Sequence, residues 1–107
     1  MLVEALVCLA LTVYYEARDQ PTAGQEAVAH VVLNRVANQH FPSTVCGVVL
    51  QGGEVHNRCQ FSWYCDGRSD SPRERTAWKK AKHVAETVLS GTVDPTYGAL
   101  YYHALYV

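Results

Sequence analysis

One carboxyl group in the sequence has the surroundings of a proton donor. Glu16 closes an apolar run and directly follows Tyr14 and Tyr15. A carboxyl that is partly removed from water beside aromatic rings resists ionisation, so we expect its pKa to be raised. A raised pKa suits a general acid that works near neutral pH. The plainer alternative is a surface glutamate that pairs with Arg18 or another nearby cation.

A second set of side chains has the mixture of groups that binds sugars. Flat aromatic faces and neutral amides suit sugar rings, because each sugar hydroxyl both donates and accepts hydrogen bonds. The candidates form one short stretch and a group near the end of the chain: Gln60, Ser62, Trp63, Tyr64 and Asp66, then Tyr101, Tyr102 and His103. The alternative for Phe61, Trp63 and Tyr101 is packing in the core.

The chain also contains residue types that bind zinc, namely His56, Cys59, Cys65 and His103. The two cysteines are spaced more widely than the pairs usual in zinc fingers, and no metalloprotease signature is present. We therefore expect no metal site and no cofactor, and we keep a zinc-dependent amidase as the less favoured alternative. The other histidines are expected to be solvated surface groups: His30, His40 and His83.

A predicted series of helices positions these candidates. Residues 2–17 are apolar nearly all round a helix, which is typical of a central core helix. Thr22 is predicted to cap a second helix that runs to about Asn38, with Gln25 completing a capping box. A short third helix is predicted to run to Leu50, with Ser43 or Thr44 as its N-cap.

The second half of the chain is predicted to add one long helix and a small β part. Ser71–Pro72, with Glu74 shortly after, has the pattern of a helix start, and Gly91 is expected to end that helix. Residues 59–65 have extended, aromatic character, and residues 99–107 are predicted to form a final strand. The predicted fold class is α+β and mostly helical, a single domain over the whole chain with a small irregular β part.

The overall charge excludes some classes of partner. The net charge of −1 gives no field that attracts nucleic acid or an anionic membrane surface. The apolar run through Tyr15 is shorter than the roughly 20 residues that span a bilayer. It also lacks the positive start of a secretory signal, so we expect a buried first helix and no membrane insertion. A monomer is the default expectation.

Four cysteines in so short a chain favour an oxidising compartment, which here means the periplasm or the extracellular space. Four thiols allow three complete pairings, and the sequence alone does not choose among them. Cys59 and Cys65 flank a short segment and are the favoured pair. Cys8 lies in an apolar helix and is expected to act as a small buried hydrophobe.

Several blocks of residues, in order along nearly the whole chain, resemble the spore-cortex-lytic, cell wall hydrolase family. The first carries Glu16 and the second helix, and the later ones carry the aromatic stretch and the end of the chain. The blocks are Tyr15–Glu16–Ala17–Arg18, Gly24–Gln25–Glu26–Ala27–Val28–Ala29, Val32–Leu33–Asn34–Arg35–Val36, residues 41–49, residues 59–63 with Asp66–Gly67, Asp94–Pro95–Thr96, and residues 98–103.

The resemblance implies a lysozyme-like catalytic domain that acts on peptidoglycan, with Glu16 as the catalytic residue. It places the substrate groove at Gln60, Ser62, Trp63, Asp66, Tyr102 and His103. Asn34 and Arg35 are expected to be structural and to anchor the second helix to the loop near Glu16. The resemblance does not choose between a spore former, a Gram-negative cell and a bacteriophage endolysin as the source.

The mechanism that one prominent acid favours is that of a lytic transglycosylase. Ordinary glycosidases use two carboxyls, and the only nearby candidate for the second, Asp66, is first of all a turn signal with Gly67. A transglycosylase needs one acid, because the C6 hydroxyl of the sugar supplies the nucleophile. A muramidase-type hydrolase and a non-catalytic peptidoglycan-binding module are the remaining alternatives.

Overall fold

A computed structural model describes residues 2–51 and 72–101 of the 107-residue chain. These ranges contain four helices and no strand: α1 Leu2–Ala17, α2 Thr22–Val36, α3 Val45–Val49 and α4 Arg75–Leu89. The helical part of the predicted fold class is confirmed. The predicted small β part is not seen in the described residues, and residues 59–65 and most of 99–107 lie outside them.

The first helix forms the centre of the domain, as its apolar sequence predicts. It packs against α2, α3 and α4. Leu9, Ala10 and Val13 are completely buried in the core, and Tyr14 is nearly so. The buried hydroxyl of Thr12 donates to the Cys8 carbonyl oxygen at 3.2 Å, which satisfies a polar group within the core. Burial on several sides explains why this helix carries so few charges.

The second helix begins one residue earlier than predicted. Thr22, the predicted N-cap, is its first residue, and Pro21 is the N-cap. No side chain caps it, so the predicted capping box of Thr22 and Gln25 is wrong. The reason is that Gln25 is buried and directs its amide to the preceding turn, where it donates to the Gln20 carbonyl oxygen at 3.3 Å. The helix ends at Val36, close to the predicted end at Asn38.

The short third helix is capped as predicted and is bonded covalently to the first. The Thr44 hydroxyl accepts a hydrogen bond from the Gly47 amide at 2.9 Å. Cys46 forms a disulfide with Cys8 of α1. Cys8 is therefore not the free buried hydrophobe that the sequence predicted, since its partner comes from a helix 38 positions away. The predicted pair Cys59 and Cys65 lies outside the described residues.

The fourth helix begins at Arg75, a few residues after the predicted start at Ser71–Pro72. The backbone just before this helix is bonded to α1, because the buried hydroxyl of Tyr14 accepts from the amides of Arg73 and of the N-cap Glu74 at 3.2 and 3.0 Å. At the other end the helix stops as predicted at Gly91, whose φ of 102° suits a residue without a side chain.

The loop that follows α4 is fixed to the end of α2. Asn34 donates to the Asp94 carboxylate at 2.9 Å and to the Ala99 carbonyl oxygen at 3.0 Å. Arg35 donates to the Leu100 carbonyl oxygen at 2.7 Å. The structural role predicted for Asn34 and Arg35 is confirmed, but they anchor this loop and not the loop beside Glu16. Residues 99–101 form no strand, and the carbonyl oxygens of Ala99 and Leu100 accept from the side chains of Asn34 and Arg35.

Among the described helices, none is both long enough and apolar enough to cross a membrane.

Candidate active site

Glu16 lies in the last turn of α1, where its side chain is exposed to solvent. Burial by the surrounding protein nevertheless raises the pKa of its carboxyl above the usual value. The two observations describe a carboxyl at the edge of the packed part of the domain: the side chain as a whole meets water, while the acid group has lost part of its hydration. Such a group is accessible to a substrate and holds its proton more firmly than an ordinary glutamate.

Arg18 does not neutralise Glu16. Its guanidinium carbon lies 5.1 Å from the centre of the Tyr14 ring, and its Nε lies 3.7 Å from a carboxylate oxygen of Glu74. Among residues 2–51 and 72–101, the Glu16 side chain has no hydrogen-bond partner and no ion-pair partner. Burial is also the one cause of its raised pKa. The plainer alternative, a surface ion pair between Glu16 and Arg18, is therefore not what the structure contains.

The turn after Glu16 is held by the side chain of Gln25, which the sequence predicted to be part of a helix cap. Gln25 is only 1% exposed, and its amide nitrogen donates to the carbonyl oxygens of Gln20 and Arg18 at 3.3 and 3.5 Å. The backbone N–H of Gln20 in turn donates to the Ala17 carbonyl oxygen at 2.9 Å. These bonds fix the backbone directly behind the acid. No local pattern signals them, because they depend on how α2 folds back against the end of α1.

Tyr14 brings the start of α4 to the same end of α1. Tyr14 lies two residues before Glu16 in α1, and its hydroxyl accepts from the backbone amides of Arg73 and Glu74. Its ring makes edge contacts with the rings of Tyr15 and Trp78, with centroids 4.8 and 6.0 Å apart. The backbone of Arg73 and Glu74 therefore lies beside the last turn of α1.

Six of the seven predicted site residues lie outside the described residues: Gln60, Ser62, Trp63, Asp66, Tyr102 and His103. The groove that they are predicted to line is therefore still a prediction. The zinc-ligand candidates lie outside the described residues as well: His56, Cys59, Cys65 and His103. In the described part of the chain, no group of three or more His, Cys, Asp or Glu side chains is arranged to hold a metal ion.

Of the three histidines in the described residues, the most buried differs from its prediction. His30 is only 5% exposed, and its Nε2 lies 2.9 Å from the Thr92 hydroxyl, at hydrogen-bond distance. It joins α2 to the loop after α4 and is not a solvated surface group. The helical spacing of Val28, Val31 and Val32 places His30 among buried neighbours, a signal that was available in the sequence. His40 and His83 are exposed, as expected.

Tyr101 lies at the opposite end of α2 from Glu16. Its ring centre is 5.0 Å from the guanidinium carbon of Arg35, which also lies 5.2 Å from the centre of the Phe41 ring. The nine residues from Gln25, beside the Glu16 turn, to Asn34 correspond to about 14 Å of helix. The candidate acid and the tyrosine-bearing loop are thus separated along the domain.

Comparison with known proteins relates the chain to a family. The sequence model described as Cell Wall Hydrolase matches residues 19–107, a range that begins just after Glu16. The chain is 38% identical over 94 residues to a spore cortex-lytic enzyme of Bacillus cereus, which covers 88% of this chain and 32% of that protein. The corresponding enzyme of Halalkalibacterium halodurans is 36% identical over 94 residues, covering 88% of this chain and 25% of that protein.

A third relative has the same printed name. The spore cortex-lytic enzyme of Bacillus subtilis is 35% identical over 94 residues, covering 88% of this chain and 27% of that protein. The chain thus spans about a quarter to a third of the length of the curated relatives it matches. No solved structure gave a significant match.

Proposed function

The chain belongs to the cell wall hydrolase family, and we propose that it is an enzyme that cleaves the glycan strands of peptidoglycan with Glu16 as its acid and base. The family is named for the cell wall, and the relatives are named for lysis of the spore cortex. Peptidoglycan is the polymer that both names have in common. The bond we expect to be cut is the glycosidic bond between N-acetylmuramic acid and N-acetylglucosamine.

The observation that carries the proposal is the state of the Glu16 carboxyl. It is exposed at the end of α1, it has no ion-pair partner in the described residues, and burial raises its pKa. A carboxyl with a raised pKa holds its proton more firmly than an ordinary glutamate, which suits transfer to a leaving oxygen, and it can take a proton back once the bond has broken. The hydrogen bonds of Gln25 to the following turn support it by limiting the movement of the helix end.

The reaction we favour is that of a lytic transglycosylase. Glu16 donates its proton to the glycosidic oxygen as the bond from the anomeric carbon to that oxygen breaks. The C6 hydroxyl oxygen of the same muramic acid then bonds to the anomeric carbon, and its proton passes to the Glu16 carboxylate. The products are a free 4-hydroxyl on one strand end and a 1,6-anhydro ring on the other, and Glu16 is protonated again. No water is consumed.

This single-acid route is compatible with the two other described acids near the end of α1, Asp19 and Glu74. Glu74 is close to Arg18, and Asp19 lies exposed in the turn after α1. No contact in the described residues positions either carboxyl opposite Glu16, where a second catalytic carboxylate would stand. Asp66, the predicted candidate for that role, lies outside them. Because the sugar supplies its own nucleophile, the route requires no second carboxylate.

Digestion of purified sacculi followed by mass spectrometry tests both the reaction and the residue. We expect fragments with 1,6-anhydro-muramic ends from the wild type and a loss of release of at least about a hundredfold from Glu16→Gln. Glu86→Gln is the matched control, since Glu86 is an exposed glutamate on α4 outside the proposed site. Reducing ends would indicate a muramidase instead, and freed stem peptides would overturn glycan cleavage.

The proposed compartment is the cell envelope outside the cytoplasm. The disulfide between Cys8 and Cys46 joins two helices of the core, and such bonds persist in oxidising surroundings. Peptidoglycan lies in the same surroundings, so the location of the substrate and the redox chemistry of the chain agree. The non-catalytic alternative, a peptidoglycan-binding module, would retain sacculi and release nothing, and the Glu16→Gln variant would then behave as the wild type.

A further inference from the structure

We propose that residues 92–101, which we term the tyrosine loop, form a second glycan-binding surface away from Glu16, with Tyr97 as its main contact and Tyr101 beside it in sequence. The inference rests on the glycan substrate of the proposed function and extends it to a separate surface. The ligand is a neutral sugar ring of the strand, stacked on an aromatic face. Three properties of the loop carry the argument: backbone conformation, rigidity and charge.

Tyr97 has an unusual backbone conformation for an exposed aromatic residue. Its φ is 56°, in the left-handed region that bulky side chains rarely adopt, and its side chain is 98% exposed. A conformation of this kind costs stability and is retained where the surrounding structure imposes it, often at functional sites. Burial of the ring does not offset this cost in stability, because the Tyr97 ring lies outside the core. The exposed ring is the feature that a ligand would use.

The turn that presents Tyr97 is rigidly built. The Asp94 carboxylate accepts hydrogen bonds from the Thr96 amide, the Thr96 hydroxyl and the Gly98 amide at 2.8, 2.6 and 2.8 Å. Asn34 of α2 donates to the same carboxylate at 2.9 Å. A side chain on such a turn is already ordered before binding, so less conformational entropy is lost when a ligand binds.

The charge of the tyrosine loop suits a sugar and not an anionic or cationic partner. Residues 92–101 contain no Lys, Arg, Glu or His, and Asp94 is their one charged residue. The Asp94 carboxylate is occupied by four hydrogen bonds within the fold. What the loop offers to solvent is therefore uncharged: the exposed ring of Tyr97, the Tyr101 ring at 69% exposure, and Thr, Pro and Val side chains.

The position of the loop determines what it would do. It is bonded to Asn34 and Arg35 at the end of α2, about 14 Å along that helix from Gln25 and the Glu16 turn. We therefore expect a sugar stacked on Tyr97 to be a different ring of the strand from the one at Glu16. The tyrosine loop therefore adds affinity for long strands and for the sacculus, and takes no part in the bond-breaking step.

Co-sedimentation with purified sacculi tests the inference, with every variant made in a Glu16→Gln background so that no strand is cut during the measurement. Tyr97→Gly removes the ring and gives the left-handed position the residue that adopts it most easily. We expect binding to weaken about three- to tenfold, the range of one aromatic stacking contact. The melting temperature of this variant should be equal or higher, since backbone strain is relieved.

Two further variants distinguish aromatic stacking from non-specific hydrophobic contact and from an effect on folding. Tyr97→Trp keeps a flat face and should bind as well as the parent, while Val93→Ala removes an exposed apolar side chain of the same loop that has no flat face. Wild-type binding by Tyr97→Gly, or an equal loss in Val93→Ala, would overturn the inference. If the unmodified chain released no glycan fragments but bound sacculi in a Tyr97-dependent way, cleavage would fail and the binding surface would stand.

Discussion

At the scale of single residues, the carboxyl of Glu16 connects catalysis with stability. Because burial raises its pKa, the folded chain favours the protonated form over the ionised one. The stability from a raised carboxyl pKa is fully present below the pKa of the unfolded chain and is lost as the pH rises through the pKa of the folded chain. The same ionisation should remove the acid form that donates the proton, so activity is expected to fall over the same pH range.

We expect Glu16→Gln, which resembles the protonated acid, to have the wild-type melting temperature in acid and a slightly higher one near neutral pH. The reason is that the wild type must hold a partly desolvated carboxylate at neutral pH, while the variant holds none. Thermal denaturation from about pH 3 to about pH 8 measures the difference. A variant that melts below the wild type at neutral pH would show that the Glu16 carboxylate forms a stabilising contact.

Residue type and position made Glu16 a candidate acid, and the family resemblance made it the predicted catalytic residue, but the buried roles of two other side chains were not predicted. Gln25 and His30 were assigned to a cap and to the surface, whereas the structure buries both. Their partners, Gln20 in one case and Thr92 in the other, are determined by how the helices pack. A single sequence contains no local signal for a contact of that kind.

At the scale of elements, the join between α1 and α3 depends on one covalent bond. Cys8 and Cys46 close a segment with a sequence separation of 38, and a cross-link of that length stabilises chiefly by restricting the unfolded chain. We expect the double variant Cys8→Ala, Cys46→Ala to lose about 2–4 kcal/mol of unfolding free energy in urea. Substitution is preferable to reduction, because it acts on this one bond alone. An unchanged midpoint would mean that the bond is absent in solution.

The start of α4 depends on a hydroxyl group from another helix. Tyr14→Phe keeps the buried ring but removes the acceptor for the amides of Arg73 and Glu74. We expect a loss of about 1–3 kcal/mol in the free energy of unfolding, since two donors lose a buried acceptor. Chemical denaturation measures this loss, and Ser90→Ala, at the exposed far end of α4, is the control. A loss in the control as large as that in Tyr14→Phe would contradict a specific role for the hydroxyl.

The elements that the sequence predicted best are those with long apolar periodicity or a local cap. The bounds of α1 and the Thr44 cap of α3 agree with prediction for that reason. The starts of α2 and α4 do not: Gln25 turns away from its predicted cap, and the amides of Arg73 and Glu74, which precede α4, bond to the Tyr14 hydroxyl. Helix ends that are completed by tertiary contacts are beyond local patterns.

At the scale of the whole molecule, the contact between Asn34 and Asp94 is one of several hydrogen bonds that join the end of α2 to the tyrosine loop. Asn34 and Asp94 are 60 positions apart in sequence, and their bond joins an amide to a carboxylate. Burial alone would raise the pKa of the Asp94 carboxyl, but hydrogen bonds from Thr96, Asn34 and Gly98 outweigh burial and lower it well below its usual range. The stability from a lowered carboxyl pKa is present above the pKa of the unfolded chain and is lost as the pH falls through the folded one.

Reversing the two groups of this contact tests its contribution to stability. Asn34→Asp places two carboxylates where the amide and carboxylate now meet at 2.9 Å, and it leaves the Ala99 carbonyl oxygen facing an acceptor. We expect a loss of about 1–3 kcal/mol near neutral pH. This deficit should shrink as the pH falls, because protonation of either carboxyl restores a donor.

Adding Asp94→Asn to Asn34→Asp should recover part of that loss, because an amide at position 94 can donate to a carboxylate at position 34. The recovery is expected to be incomplete, since the turn amides of Thr96 and Gly98 then face a neutral oxygen in place of a carboxylate. Urea denaturation of the wild type, both single variants and the double variant gives the coupling energy. Losses that simply add would mean that the two residues do not interact, and the tyrosine loop would then have to be held to α2 by Arg35 and its bond to Leu100.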